Sequence, residues 1–93
     1  MDPLVRQTAL EVLLSHQKDL SDTQLKEALR LGLADPDFPI AEIALKFVLK
    51  NKLVAHYLGE LKILASRLTS KDDPYLKQLG QRVEKIIKLS SKV

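Results

Sequence analysis

The sequence predicts an all-α fold of about five helices, stacked as antiparallel helix pairs, and three observations carry that expectation. Leu, Ala, Lys, Glu and Gln, all good helix formers, dominate, while Gly (3) and Pro (4) are scarce. Apolar residues recur at three- and four-residue spacings in every long segment, and few runs alternate apolar with polar. A stretch that opens the chain, DPLVRQTALEVLL from Asp2, returns as DFPIAEIALKFVL from Asp37 and more weakly as DPYLKQLGQRVEK from Asp73.

The elements follow from caps, breakers and periodicity. A first helix is expected from about Pro3 to Gln17, with Val5, Ala9, Val12 and Leu13 on its apolar face. A second starts after Ser21-Asp22 and runs to about Leu33, turning Leu25, Ala28, Leu29 and Leu33 inward; Gly32 and Asp35-Pro36 end it. A third spans about Pro39 to Lys50, with Ile40, Ile43, Ala44, Phe47 and Val48 inward. A fourth spans about Leu53 to Thr69, with Val54, Leu58, Leu61, Leu64, Ala65 and Leu68. A fifth runs from Pro74 to about Leu89, with Leu76, Leu79, Val83, Ile86 and Ile87.

One boundary is weakly marked. Only Lys50-Asn51-Lys52 separates the third and fourth helices, and the apolar rhythm continues across it. One helix of about 30 residues would place Asn51 in its apolar seam, as register-fixing polar residues sit in coiled coils. The expectation is a break instead, because Asn accepts the left-handed conformation that ends a helix and the repeat needs a turn there.

The three related stretches align at offsets of 35 and 36 residues. Asp2 falls on Asp37 and Asp73, Val5 on Ile40 and Leu76, and Ala9 on Ala44 and Gly80. The shared grammar is an Asp that caps the free N–H groups of the first helical turn, an aliphatic residue, and a small residue four positions later. The small residue lets another helix approach closely. A period of this length is what stacked helix pairs produce.

The first stretch resembles the second helix of a HEAT repeat, in which Asp, a Val-Arg pair and an Ala three residues after the Arg recur. Asp2, Val5, Arg6 and Ala9 match. The second copy keeps Asp37, Ile40 and Ala44 but has Ala41 in place of the Arg, and the third keeps Asp73, Leu76, Lys77 and Gly80. The resemblance covers the chain as two and a half units. It implies an α-solenoid scaffold that binds other macromolecules on a surface of stacked helices. The alternative architecture is a compact helical bundle of another topology.

The chain has 93 residues, of which 45% are hydrophobic and 4% aromatic, with no Trp. That suffices for one aliphatic core, so residues 1–93 read as a single helical domain, either whole or a fragment of a longer helical-repeat protein. The absence of cysteine excludes a disulfide scaffold, a thiolate metal site and a cysteine nucleophile together. With no apolar run long enough to span a membrane and no leader pattern, a cytoplasmic location is expected.

No catalytic set assembles from the sequence. His16 and His56 lack the i, i+4 spacing of metal-binding helices. The acid pairs Asp35/Asp37 and Asp72/Asp73 flank or precede prolines and read as turn and capping residues rather than acid–base pairs. The expectation is therefore a non-enzyme with no catalytic, metal or cofactor-binding residues, no cofactor and no small-molecule substrate.

Charge is the informative feature. Residues 1–45 carry four Lys and Arg against eight acids, a net of −4; residues 46–93 carry eleven against four, a net of +7, giving +3 overall. On the fifth helix Lys77, Lys85, Lys88 and Lys92 fall within an arc of about 80° at 100° per residue. They are the expected partner-binding residues, steering an acidic protein toward apolar helix surface, unless they form only a solvated helix face whose cations favour the helix C-terminus. The alternative is a polyanion, nucleic acid or anionic lipid, on the basic half. Against nucleic acid stand the few aromatics, which leave little to stack on bases.

Overall fold

Five α-helices and two single 3-10 turns carry the chain, and no strand occurs among the described residues; the computed structural model describes the backbone of residues 2–91 and the side chains of residues 2–90. The all-α prediction holds, with helices packed against one another in pairs. Contacts divide the chain into two compact units, Met1–Asn51 and Lys52–Val93.

The first unit holds α1 (Pro3–Ser15), α2 (Asp22–Leu33) and α3 (Phe38–Lys50). Asp2 caps α1: its carboxylate accepts a hydrogen bond from the Leu4 N–H at 2.7 Å, and Pro3 opens the helix. A capping box opens α2, in which Ser21 Oγ accepts from Gln24 N at 3.1 Å and Gln24 Oε1 accepts from Ser21 N at 2.9 Å. Leu10, Leu14, Leu29, Leu33, Ile40, Ala41, Ala44, Leu45 and Val48 form an aliphatic core.

Three expectations about this unit are corrected. The face of α1 that is buried carries Leu10 and Leu14, whereas Val5, Ala9, Val12 and Leu13 are exposed. Apolar residues occupy two adjacent arcs of α1, and only the Leu10–Leu14 arc meets α2 and α3. The first helix stops at Ser15, not Gln17, because the chain tightens into a 3-10 turn over Gln17–Asp19. Gly32 does not end α2. It lies buried inside it, at a crossing where an added Cβ would sit 2.9 Å from Ala44 Cβ and 3.1 Å from a Leu10 methyl.

The second unit holds a 3-10 turn (Val54–His56), α4 (Leu58–Thr69) and α5 (Pro74–Ser91). The Asp73 carboxylate caps α5, accepting from Tyr75 N at 2.8 Å and Leu76 N at 3.3 Å. Leu61, Leu64, Ala65 and Leu68 of α4 bury against Val83 and Ile87 of α5, joined by Tyr57. Gly80 makes the close crossing: a Cβ there would lie 2.7 Å from Thr69 Cγ2 and 3.0 Å from Leu68 Cβ.

The break between the third and fourth helices is present, but its chemistry differs from expectation. The left-handed residue is Lys52, at φ 56°, not Asn51, at φ −97°. Asn51 instead donates its side-chain amide to the Phe47 carbonyl at 2.9 Å. The fourth α-helix begins at Leu58 rather than Leu53, the intervening residues forming the 3-10 turn.

Candidate interaction surfaces

Arg6 organises the polar end of the first unit. Its Nε donates to Asp35 at 2.9 Å, and one terminal nitrogen donates to Asp35 at 3.2 Å and to Asp37 at 2.8 Å. Asp35 is buried and also accepts the Asp37 N–H at 2.9 Å. The turn after α2 thus ties its own backbone and the first helix together through one carboxylate. Asp37 makes no side-chain cap on α3, its carboxylate being drawn to Arg6 instead.

Hydrogen bonding to Asp35, against partial desolvation and with the charges of Asp35, Asp37 and Asp2, raises the Arg6 guanidinium above its ordinary value. A raised cation stabilises below its unfolded pKa and loses that contribution only as pH climbs into strong alkali. The cluster therefore does not switch near neutrality through Arg6. Turn chemistry was legible at Asp35, which accepts the Asp37 N–H, whereas the cap expected of Asp37 on α3 does not form. The partner of Asp35, 29 residues away, was not legible, although Arg6 is the only Lys or Arg before Lys18.

The exposed arc of α1 is the main apolar surface of this unit. Val5 and Val12 are each 52% exposed, Leu13 40% and, across on α2, Leu31 64%. At 100° per residue, Val5, Ala9, Val12 and Leu13 fall within about 100°. Between α1 and α2 lies an open groove of about 200 Å³, with Ala9, Leu13, Ala28 and Leu31 along its walls and Arg6 and Asp35 at its polar end. Isolated exposed apolar residues are ordinary, but these lie together on one arc of α1 beside the groove.

On α5, Lys77, Lys85 and Lys88 are exposed, on the side away from buried Val83 and Ile87. Lys92 lies outside the described residues. Lys88 also flanks a second groove with Lys62, Glu84 and Ile87, between α4 and α5. Split at the unit boundary, residues 1–51 carry six Lys and Arg against eight acids, net −2, and residues 52–93 carry nine against four, net +5.

His16 and His56 are exposed, and His16 Nδ1 lies 3.9 Å from an Asp19 carboxylate oxygen. Among the described residues no group of three His, Cys, Asp or Glu is disposed to hold a metal, and no helix is long and apolar enough to cross a membrane. No buried side-chain nitrogen or oxygen among them lacks a partner. No family model, curated protein or solved structure matches the chain, so the repeat rests on the chain's own internal correspondence.

Proposed function

We propose that the chain is a non-catalytic protein-interaction module, a scaffold of HEAT-like helix pairs that binds a partner on exposed apolar helix surface. The single observation that carries this is the strip of Val5, Ala9, Val12 and Leu13 on α1, apolar yet uncovered, beside a groove edged by Leu31. A helix serving only stability would place its apolar residues on the buried arc, and α1 spends a second arc on solvent. The resemblance to HEAT repeats points the same way.

A second reading is favoured by the charge of residues 52–93: Lys77, Lys85 and Lys88 would hold a polyanion. One comparison tests both. The intact chain, its Val5→Glu/Val12→Glu variant and its Lys85→Glu/Lys88→Glu variant are immobilised, and bound protein and nucleic acid are quantified across salt. The interaction-module reading expects protein capture that survives salt and is lost in the valine variant. Capture dominated by nucleic acid, falling steeply with salt and lost in the lysine variant, would replace it with polyanion binding.

A further inference from the structure

We propose that α1 is a releasable strap: it seats on the α2–α3 pair or leaves it and unfolds as one piece, with Arg6, Asp35 and Asp37 as its clasp. Of its 13 residues only Leu10 and Leu14 are buried, and they remain 6% and 8% exposed. The α2–α3 pair is the tighter layer, with Leu29, Leu33, Ile40, Ala44, Leu45 and Val48 each exposed by 2% or less. Residues 15–21 are exposed except for half-buried Leu20, so the connection to α2 buries no anchor that would hold the helix in place.

The clasp is built unequally. Its receiving half belongs to the turn after α2 and needs nothing from α1: Asp35 is buried, its N–H donates to the Gly32 carbonyl at 3.1 Å, and its carboxylate accepts the Asp37 N–H at 2.9 Å. The strap supplies Arg6, whose guanidinium donates to Asp35 at 2.9 and 3.2 Å and to Asp37 at 2.8 Å. With α1 seated, two neighbouring carboxylates share that cation; with α1 gone they lose it. These charge-assisted bonds hold the N-terminal half of a helix whose apolar anchors, Leu10 and Leu14, both lie in its C-terminal half.

Release means unfolding. An isolated helix as short as α1 is marginal in water, and β-branched Val5, Thr8 and Val12 lower its intrinsic helicity further. The strip of Val5, Ala9, Val12 and Leu13 is therefore assembled only while the strap is seated, and the clasp sets how much of the time it is displayed. Such order–disorder steps of one segment are a recurring form of switch. The regulatory consequence rests on the interaction-module reading, because the surface it governs is that same strip. The strap itself does not, since it opens or stays shut whatever binds.

Native-state hydrogen exchange on the intact ¹⁵N-labelled chain, with no partner present, tests it. Amides of residues 7–15 should exchange at least about tenfold faster than the protected amides of α2 and α3, through an opening that low urea hardly promotes. Arg6→Gln keeps a good helix former and removes the cation. It should speed exchange of residues 7–15 by about tenfold or more while changing α2 and α3 by less than about threefold. Residues 7–15 protected as well as α2 and α3 would overturn the strap. So would an Arg6→Gln chain whose three helices loosen or unfold together, because α1 would then belong to one cooperative unit. Fast exchange in α1 that Arg6→Gln leaves unchanged would overturn the clasp. The surface reading fails separately: if the exchange behaves as expected while protein capture persists in Val5→Glu/Val12→Glu, the strap stands and the strip is not what it governs.

Discussion

Replacing Gly80 by Ala sets two known effects against each other at one atom. Gly inside a helix is about 1 kcal/mol less favourable than Ala, so propensity alone makes the substitution stabilising. The added Cβ, however, would lie 2.7 Å from Thr69 Cγ2, 3.0 Å from Leu68 Cβ and 3.1 Å from the Ala65 carbonyl oxygen. Two of those atoms are fixed to the backbone of α4, so relief requires the helices to separate. Overpacking of this kind costs about 1–3 kcal/mol, and the rigid neighbours put it in the upper half, leaving a net loss of about 1–2 kcal/mol. Gly59→Ala is the control, because nothing lies within 4 Å of its Cβ position, and it should be neutral or stabilising. Urea unfolding followed by far-UV circular dichroism reads both. With a slope on the order of 1 kcal/mol per M, the Gly80→Ala midpoint should fall by roughly 1 M or more with the slope unchanged. Native-state hydrogen exchange should place the loss in α4 and α5. Adding Thr69→Ser, which removes the nearest methyl, should restore part of the loss. A midpoint that rises for Gly80→Ala as it does for Gly59→Ala would refute the tight crossing and the role given to small residues in the repeat.

Further substitutions have outcomes that follow from the same structure. Ala44→Leu should cost about 1–3 kcal/mol in urea unfolding because it meets Gly32, while its repeat-equivalent Ala9→Leu should cost almost nothing. Lys52→Gly should stabilise by about 0.5–1 kcal/mol, since a left-handed non-Gly residue costs about 1–2 and the greater unfolded-state freedom of Gly removes part of the gain. Asn51→Gly should do the reverse, because Asn51 is not left-handed and its amide bonds to Phe47. Arg6→Lys should lower the melting temperature despite keeping the charge, because an ammonium cannot reproduce the forked contact to Asp35.

Much of the architecture was legible in the sequence. Asp2 and Asp73 cap their helices as the repeat implied, and Ser21 opens α2 with Gln24 completing the box. The break near Asn51 was legible from the repeat period. Which arc of α1 is buried was not. Periodicity reports that Val5, Ala9, Val12 and Leu13 share a face, and it says nothing of whether another helix covers that face. The sister stretch at Ile40, Ala44 and Val48 is covered, so the same apolar pattern is buried in one copy and exposed in another. Arg6 and Asp35 lie 29 residues apart, so their pairing needs the turn after α2 to place the carboxylate beside the first helix. Lys52 carries no mark of its positive φ, and Asn51, the better intrinsic candidate, makes a side-chain bond instead. Tyr57 is buried just before α4, at a position the apolar rhythm passes over.

Magnitudes decide how strong a contact on the proposed α1 face would be. Val5, Val12, Leu13 and Leu31 are each about half exposed, so covering them contributes roughly 1 kcal/mol apiece, about 4 kcal/mol together. A partner helix with three leucines would contribute about 6 kcal/mol more from its own buried side chains. Against roughly 10 kcal/mol stand association costs of about 4–15 kcal/mol. The face alone thus supports a weak, exchanging contact, and a long-lived complex needs further surface. If the same partner is acidic elsewhere, Lys77, Lys85 and Lys88 speed encounter without adding much to residence time, because steering acts mainly on association. The two kinds of variant should then separate in surface-binding kinetics. Val12→Glu should raise the dissociation rate at every salt concentration. Lys85→Glu/Lys88→Glu should slow association at low salt and converge on the wild type as screening shortens the field to about 10 Å at 0.1 M and less above it. A lysine variant whose dissociation rate rises as much as that of Val12→Glu would make the basic stripe part of the contact itself, and its assignment to steering would be withdrawn.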